Sequence, residues 1–129
     1  MADENIVDVE IASILNSTKK KLGIAADYDA FDHDIIVSIN TAFATLFDEG
    51  LKYKDDPIRI TGEDDLWEDY ITDPLVAGLI EDYVYIYVKL LFDPPNNSFL
   101  LENYKTKLAE LEWRIYTQVN DYLPEVHTV

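Results

Sequence analysis

The sequence predicts an all-α protein, a small helical bundle of about four main helices with one long acidic loop. Three observations carry that expectation. Apolar residues recur every three to four positions through four separate stretches. Prolines, glycines and capping residues punctuate the ends of those stretches. The remaining region, 51–73, lacks the period and concentrates acidic residues instead.

Residues 1–7 read as an N-terminal arm. A first helix is expected from near Asp8, whose carboxylate can cap free N–H groups, with Val9, Ile11, Ile14, Leu15 and Leu22 on one side. Lys19, Lys20 and Lys21 fall in its last turn, where positive charge meets the negative end of the helix dipole, and Gly23 supplies the stop. The second helix is expected over 30–49. Asp27, Asp29, Asp32 and Asp34 crowd its start, Gly50 closes it, and Phe31, Ile35, Ile39, Ala42, Phe43 and Leu46 form its core face.

Segment 51–73 holds eight acidic residues against Lys52, Lys54 and Arg59. Pro57 and Gly62 bracket a short extended piece at 58–61. Thr61-Gly62-Glu63-Asp64 resembles a capping box with Asp in the Glu position, ahead of a short helix through Leu66, Trp67 and Tyr70. Asp73-Pro74 is a cap followed by a first-turn proline and opens a third long helix over 74–92. That helix is apolar on nearly all sides. Val76, Ile80, Val84, Tyr87, Val88 and Leu91 make one stripe and Leu75, Leu79 and Ile86 another. Glu81, Asp82, Tyr85 and Lys89 form a narrow polar strip between them. Asp93-Pro94-Pro95 ends it. The last helix is expected from Asn97 or Ser98 to about Tyr122, with Phe99, Leu101, Tyr104, Leu108, Leu111, Ile115, Val119 and Tyr122 along one side. A short tail, 123–129, follows Pro124, so the chain reads as a single domain over 1–129.

Composition narrows the function. A chain of 129 residues with 48% hydrophobic and 12% aromatic residues carries too much apolar mass for a disordered acidic protein. Its net charge of −16 would repel nucleic acid and anionic membranes, whose binding draws on Lys and Arg. The acidic start, 1–5, is unlike a basic signal-peptide opening, and the apolar run in 83–92 is too short to span a bilayer, so the expectation is a cytosolic protein at synthesis. With no cysteine, disulfides, thiolate zinc sites and thiol catalysis are absent.

No catalytic, metal or cofactor constellation emerges. His33 and His127 are distant in sequence, and Glu-x-x-His does not occur. The run from Asp27 to Asp34 suggests a calcium loop. Counted from Asp27, however, Asp32 stands where an EF-hand needs glycine and Ser38 where it needs glutamate. No glycine-rich phosphate loop is present, and the chain is expected not to be an enzyme. The nine tyrosines point elsewhere. Tyr83 and Tyr87, four apart, are expected inward, while Tyr85 emerges on the polar strip, where an amphipathic ring suits a protein interface. Trp113 falls off the main apolar stripe, and Trp67 sits in the acidic segment. Trp67, Tyr85, Lys89, Trp113, Tyr122 and Val126 are therefore the candidate interface residues.

The string Ile14-Leu15-Asn16-Ser17-Thr18-Lys19-Lys20-Lys21-Leu22-Gly23-Ile24 resembles the opening of small tailed-phage head–tail connector (head-completion adaptor) proteins. So do Phe31-Asp32-His33-Asp34-Ile35-Ile36 leading to Ile39-Asn40-Thr41, Tyr83-Val84-Tyr85 leading to Leu90-Leu91-Phe92-Asp93-Pro94-Pro95, and Leu108-Ala109-Glu110-Leu111-Glu112-Trp113-Arg114. The resemblance implies a subunit that forms a homo-oligomeric ring beneath the portal protein, extends the DNA channel, and seats the tail or a stopper (tail-completion) protein. On that reading Asp55, Asp56, Arg59, Glu63, Asp64 and Asp65 face the channel or a ring face, and the 123–129 tail meets the portal. DNA would pass without sequence-specific binding, and the protein would reside in the virion after assembly in the host cytoplasm. The alternative is an acidic DNA mimic that inhibits a host DNA-processing enzyme.

Overall fold

The computed structural model describes residues 12–119. Five helices occur among them: α1 Ile14–Leu22, α2 Asp32–Asp48, a single turn α3 Trp67–Tyr70, α4 Pro74–Phe92 and α5 Ser98–Val119. No strand is present among the described residues, whose β pairing is confined to isolated bridges at Ser13–Leu66 and Tyr53–Asp56.

The expected helix start near Asp8 lies outside the described residues, and α1 is the helix that opens at Ile14. Its cap is Ser13, extended at φ −73° and ψ 131°, whose hydroxyl accepts from the Asn16 N–H at 3.1 Å. Ser13 is extended because it pairs with the chain at Leu66, and the neighbouring Ile14 N–H donates to the Asp65 carbonyl at 3.0 Å. Asp8, Val9 and Ile11 lie outside the described residues. Gly23 ends α1 as expected, at φ 83°. The Gly23 and Ile24 N–H groups return to the Lys20 and Lys19 carbonyls.

α4 is the central helix, packed against α5, α2 and α1. Its caps are the predicted ones: Asp73 accepts from the Leu75 N–H at 2.9 Å, and the helix stops at Asp93. Ile80, Tyr83, Val84, Ile86 and Val88 are buried, so α4 turns most of its circumference inward. It meets Ile35, Ile39, Ala42, Phe43 and Leu46 of α2, Ile14 and Leu15 of α1, and Leu111 and Ile115 of α5 in one core cluster. The short 93–97 connection makes α4 and α5 antiparallel neighbours. Asn97 caps α5 by accepting from the Phe99 and Leu100 N–H groups at 2.8 and 3.2 Å.

The acidic segment is anchored rather than loose. Leu51, Ile58, Ile60, Trp67 and Ile71 are all buried in the core. The expected extended piece at 58–61 forms no strand, but its alternation holds: Ile58 and Ile60 point in and Arg59 out. Asn40 of α2 takes the place of a neighbouring strand, donating to the Ile60 carbonyl at 3.0 Å and accepting its N–H at 2.8 Å. The expected capping box is replaced by a turn closed by Asp65, which accepts from the Thr61 and Gly62 N–H groups at 2.8 and 3.3 Å. Tyr70 adds its hydroxyl at 2.9 Å.

Lys19 corrects the dipole reading of the three lysines. Its side chain is fully buried, and Nζ donates to the Ala26 carbonyl at 3.0 Å, the Tyr28 carbonyl at 2.8 Å and Asp32 Oδ1 at 2.7 Å. One ammonium thus ties the end of α1, the 24–31 connection and the start of α2 together. Several residues of the apolar stripes are exposed, namely Phe31, Leu75, Leu91 and Phe99. Each sits at or near a helix end, where the apolar period continues beyond the neighbour it would pack on. Trp67 goes the other way. It is 6% exposed, stacks edge-on against Phe43 at 6.2 Å, and donates from Nε1 to Ser17 Oγ at 2.9 Å. Trp67 is therefore a core residue, and no face of it is left for a partner.

Candidate assembly surfaces

Two ends of the bundle carry apolar surface that the chain itself does not cover. At the first end, Phe31 precedes α2 and packs edge-on between Tyr28 (5.7 Å) and Phe92 (5.2 Å). Tyr28 and Phe31 remain 50% and 41% exposed, and Leu91 of α4 is 58% exposed. Phe99 and Leu100, in the first turn of α5 just past the 93–97 connection, are exposed as well. Spacing did not single out Phe31, Leu91 and Phe99, because they continue apolar stripes, and Tyr28 and Leu100 belong to no stripe at all.

At the opposite end, α5 runs past the end of α2 and the start of α4. Trp113 is 62% exposed and stacks on Tyr116 at 5.7 Å with an interplanar angle of 26°. Glu49, Ala109, Glu112, Trp113 and Tyr116 line a groove of about 510 Å³ there. Glu112 accepts from the buried Tyr83 hydroxyl at 3.1 Å. Burial, then the hydrogen bond and charge of Glu112, raise the Glu49 carboxyl above its ordinary range. Burial and the same Glu112 push the Tyr83 phenol up. A second groove beside it is lined by Leu75, Leu79, Arg114, Thr117 and Gln118. Trp113 was singled out in the sequence, but its stacking partner Tyr116 was not, although their i,i+3 spacing is a signal that could have found it. The pair's carboxylate neighbours, from two helices, were not legible.

The remaining candidates divide. Tyr85 is half-buried, and its phenol is raised by burial and by the hydrogen-bonded Tyr104 of α5, so it is a seam residue between α4 and α5. Lys89 bonds Asp93 at 2.9 Å, which raises its ammonium and ties down the end of α4. Tyr122 and Val126 lie outside the described residues. In the acidic segment Asp55, Asp56, Arg59, Glu63 and Asp64 are exposed. Asp65 is engaged internally: burial alone would raise it, but the bonds from Thr61, Tyr70 and Gly62 outweigh this and hold it below the usual range. The Tyr70 phenol is pushed up to about 12 by burial and by Asp65. Lys54 and Asp55 form a two-residue turn with φ of 52° and 70°, closed by paired bonds between Tyr53 and Asp56 at 2.8 and 3.0 Å.

Among the described residues no three His, Asp or Glu side chains stand where they could hold a metal ion. No helix of the described residues is long and apolar enough to cross a membrane. No curated protein and no solved structure matches the chain. A family model described as phage connector protein matches residues 14–121. That span runs from the first capped residue of α1 through the last described residue of α5, taking in both exposed ends of the bundle, and the chain belongs to the phage connector protein family.

Proposed function

We propose that this chain is a structural subunit of the head–tail junction of a tailed phage. In this reading it forms a homo-oligomeric ring beneath the portal, extends the DNA channel, and seats the tail or a stopper protein. Family membership supports the connector role. The observation that carries the assembly role is the apolar surface left open at both ends of the bundle, with Phe99 73%, Trp113 62%, Leu75 62% and Leu91 58% exposed. A small subunit with two such ends is suited to contacts above and below or side to side.

The exposed acids Asp55, Asp56, Glu63 and Asp64, with Arg59 among them, are assigned to the channel or a ring face. Negative charge there would let DNA slide without adhering. The 123–129 tail is assigned to the portal. Deleting the acidic segment is a poor test, because Leu51, Ile58 and Ile60 anchor it in the core. Neutralising Asp55, Asp56, Glu63 and Asp64 to their amides leaves those anchors intact and is expected to slow DNA passage into cells while virions still assemble.

Light scattering coupled to size exclusion, run on the protein alone and with its cognate portal, tests the reading. A discrete oligomer or co-elution with the portal is expected. A monomer that ignores the portal yet binds a host DNA-processing enzyme would establish the DNA-mimic alternative instead.

A further inference from the structure

We propose that the groove between the end of α2 and α5 receives Arg59 of a second copy of this chain. The groove presents an exposed aromatic shelf, Trp113 on Tyr116, beside the carboxylate of Glu112. None of the ion pairs among the described residues includes Glu112, whose bonded neighbours are the Tyr83 hydroxyl and the Glu49 side chain. A flat aromatic face next to a carboxylate recognises a guanidinium. The ring attracts the cation's face while the carboxylate accepts from its edge.

The chain has two arginines, Arg59 and Arg114. Arg114 lies on α5 itself, beside Trp113, and lines the adjoining Leu75/Leu79 groove. Arg59 stands on a different face from the groove, and it is the arginine we assign as the donor from another molecule. It is exposed, belongs to none of the described ion pairs, and stands out from a backbone held on both sides. Ile58 and Ile60 are buried, Asn40 clamps the Ile60 backbone, and Tyr70 reaches the Arg59 carbonyl at 3.5 Å. A base left unpaired in a chain of net charge −16, on a platform this rigid, is preorganised to bind. Around it Val37 is 50% exposed, and Thr41 and Ala44 are exposed with it, giving Trp113 an apolar surface to cover.

The two surfaces share no residue. A contact between them is heterologous, and repetition of one such contact produces a closed ring or an open chain. The inference rests on the ring reading for its biological sense, but its residues are fixed by charge and shape.

The test uses three full-length proteins at physiological salt: the wild type, Arg59→Glu and Trp113→Ala. Both replaced side chains are exposed, so each variant is expected to keep the wild-type circular dichroism and melting curve. The wild type should self-associate in sedimentation velocity. Each variant alone should be monomeric, its Kd raised about thirtyfold or more. Mixed in equal amounts, they should form a dimer and stop, because Arg59→Glu retains its groove and Trp113→Ala retains its arginine. A wild type and variants that assemble alike would overturn the inference and leave the ring reading standing. A wild type that stays monomeric at the highest attainable concentration overturns it too, and portal co-elution then judges the ring reading separately.

Discussion

Replacing Asp32 by alanine leaves the Lys19 ammonium buried with its two carbonyl partners and no counter-charge. The Lys19 side chain is 0% exposed, so water cannot take over the lost 2.7 Å contact. Removing one member of a buried ion pair costs about 3–5 kcal/mol. Here the Ala26 and Tyr28 carbonyls still solvate the ammonium, which places the cost near the low end, at about 3 kcal/mol. For a domain of this length that lowers Tm by about 10 °C. Lys19→Met should be milder, at about 1–2 kcal/mol, because it buries no charge. The Asp32 carboxylate it strands is 27% exposed and can reach water, while the two carbonyls lose a donor. The double variant should match Lys19→Met alone. Urea unfolding followed by circular dichroism gives all three values. If Asp32→Ala lies within about 0.5 kcal/mol of wild type, or if Lys19→Met proves the worse of the two, the ammonium is not the strut described here.

The Glu49 carboxyl is raised in the folded state, so the folded chain holds its proton more tightly than the unfolded chain. Its stabilising contribution is full below the ordinary 4.5 and is lost as pH rises through the raised value; Glu49→Gln should flatten that decline in a series of thermal melts. Asp65 has the opposite sign. Its lowered carboxyl stabilises above the ordinary 3.8 and loses that contribution as pH falls, so Asp65→Asn should cost about 1 kcal/mol at neutral pH and little in acid. Asp55 holds φ at 70° without being glycine, and Asp55→Gly should raise stability by about 0.5–1 kcal/mol in the same urea assay.

Helix α4 was readable to the residue because its signals are local. Asp73-Pro74 at one end and Asp93-Pro94-Pro95 at the other act on the backbone next to them, whatever packs above. Asn97 and Gly23 worked the same way. Lys19 was not readable. A lysine in a last turn is ordinary, and only the path of 24–31 brings two carbonyls and a carboxylate 13 residues away onto its Nζ. The anchoring of 51–73 was hidden for a related reason. Leu51, Ile58, Ile60, Trp67 and Ile71 follow no period, and the group that satisfies the Ile60 backbone is a side chain from α2. Of the candidate interface, Trp113 was visible as a residue off its helix's stripe. Trp67, in the acidic segment, carried the same ambiguity and went to the core, where its indole N–H finds Ser17, 50 residues earlier.

The uneven burial of α5 sets a last expectation. The helix has 22 residues, about 33 Å of length, and its buried residues are Leu111 and Ile115. Tyr104 and Leu108 pack partly against the core cluster, and Phe99 and Leu100 are exposed. Its main packing partner is α4, which is held by three helices. Opening the first half of α5 therefore exposes little new apolar surface, whereas opening α4 dismantles the core. Local opening free energy follows such differences. Amide hydrogen exchange should show residues 98–107 exchanging well before 80–88 in the free protein. Binding stabilises what it covers by mass action, so a partner seated on Phe99 and Leu100 would slow exchange there first. Equal protection of α4 and the first half of α5 in the free monomer would mean that α5 is already fully supported, and that its exposed apolar turn has no need of a neighbour.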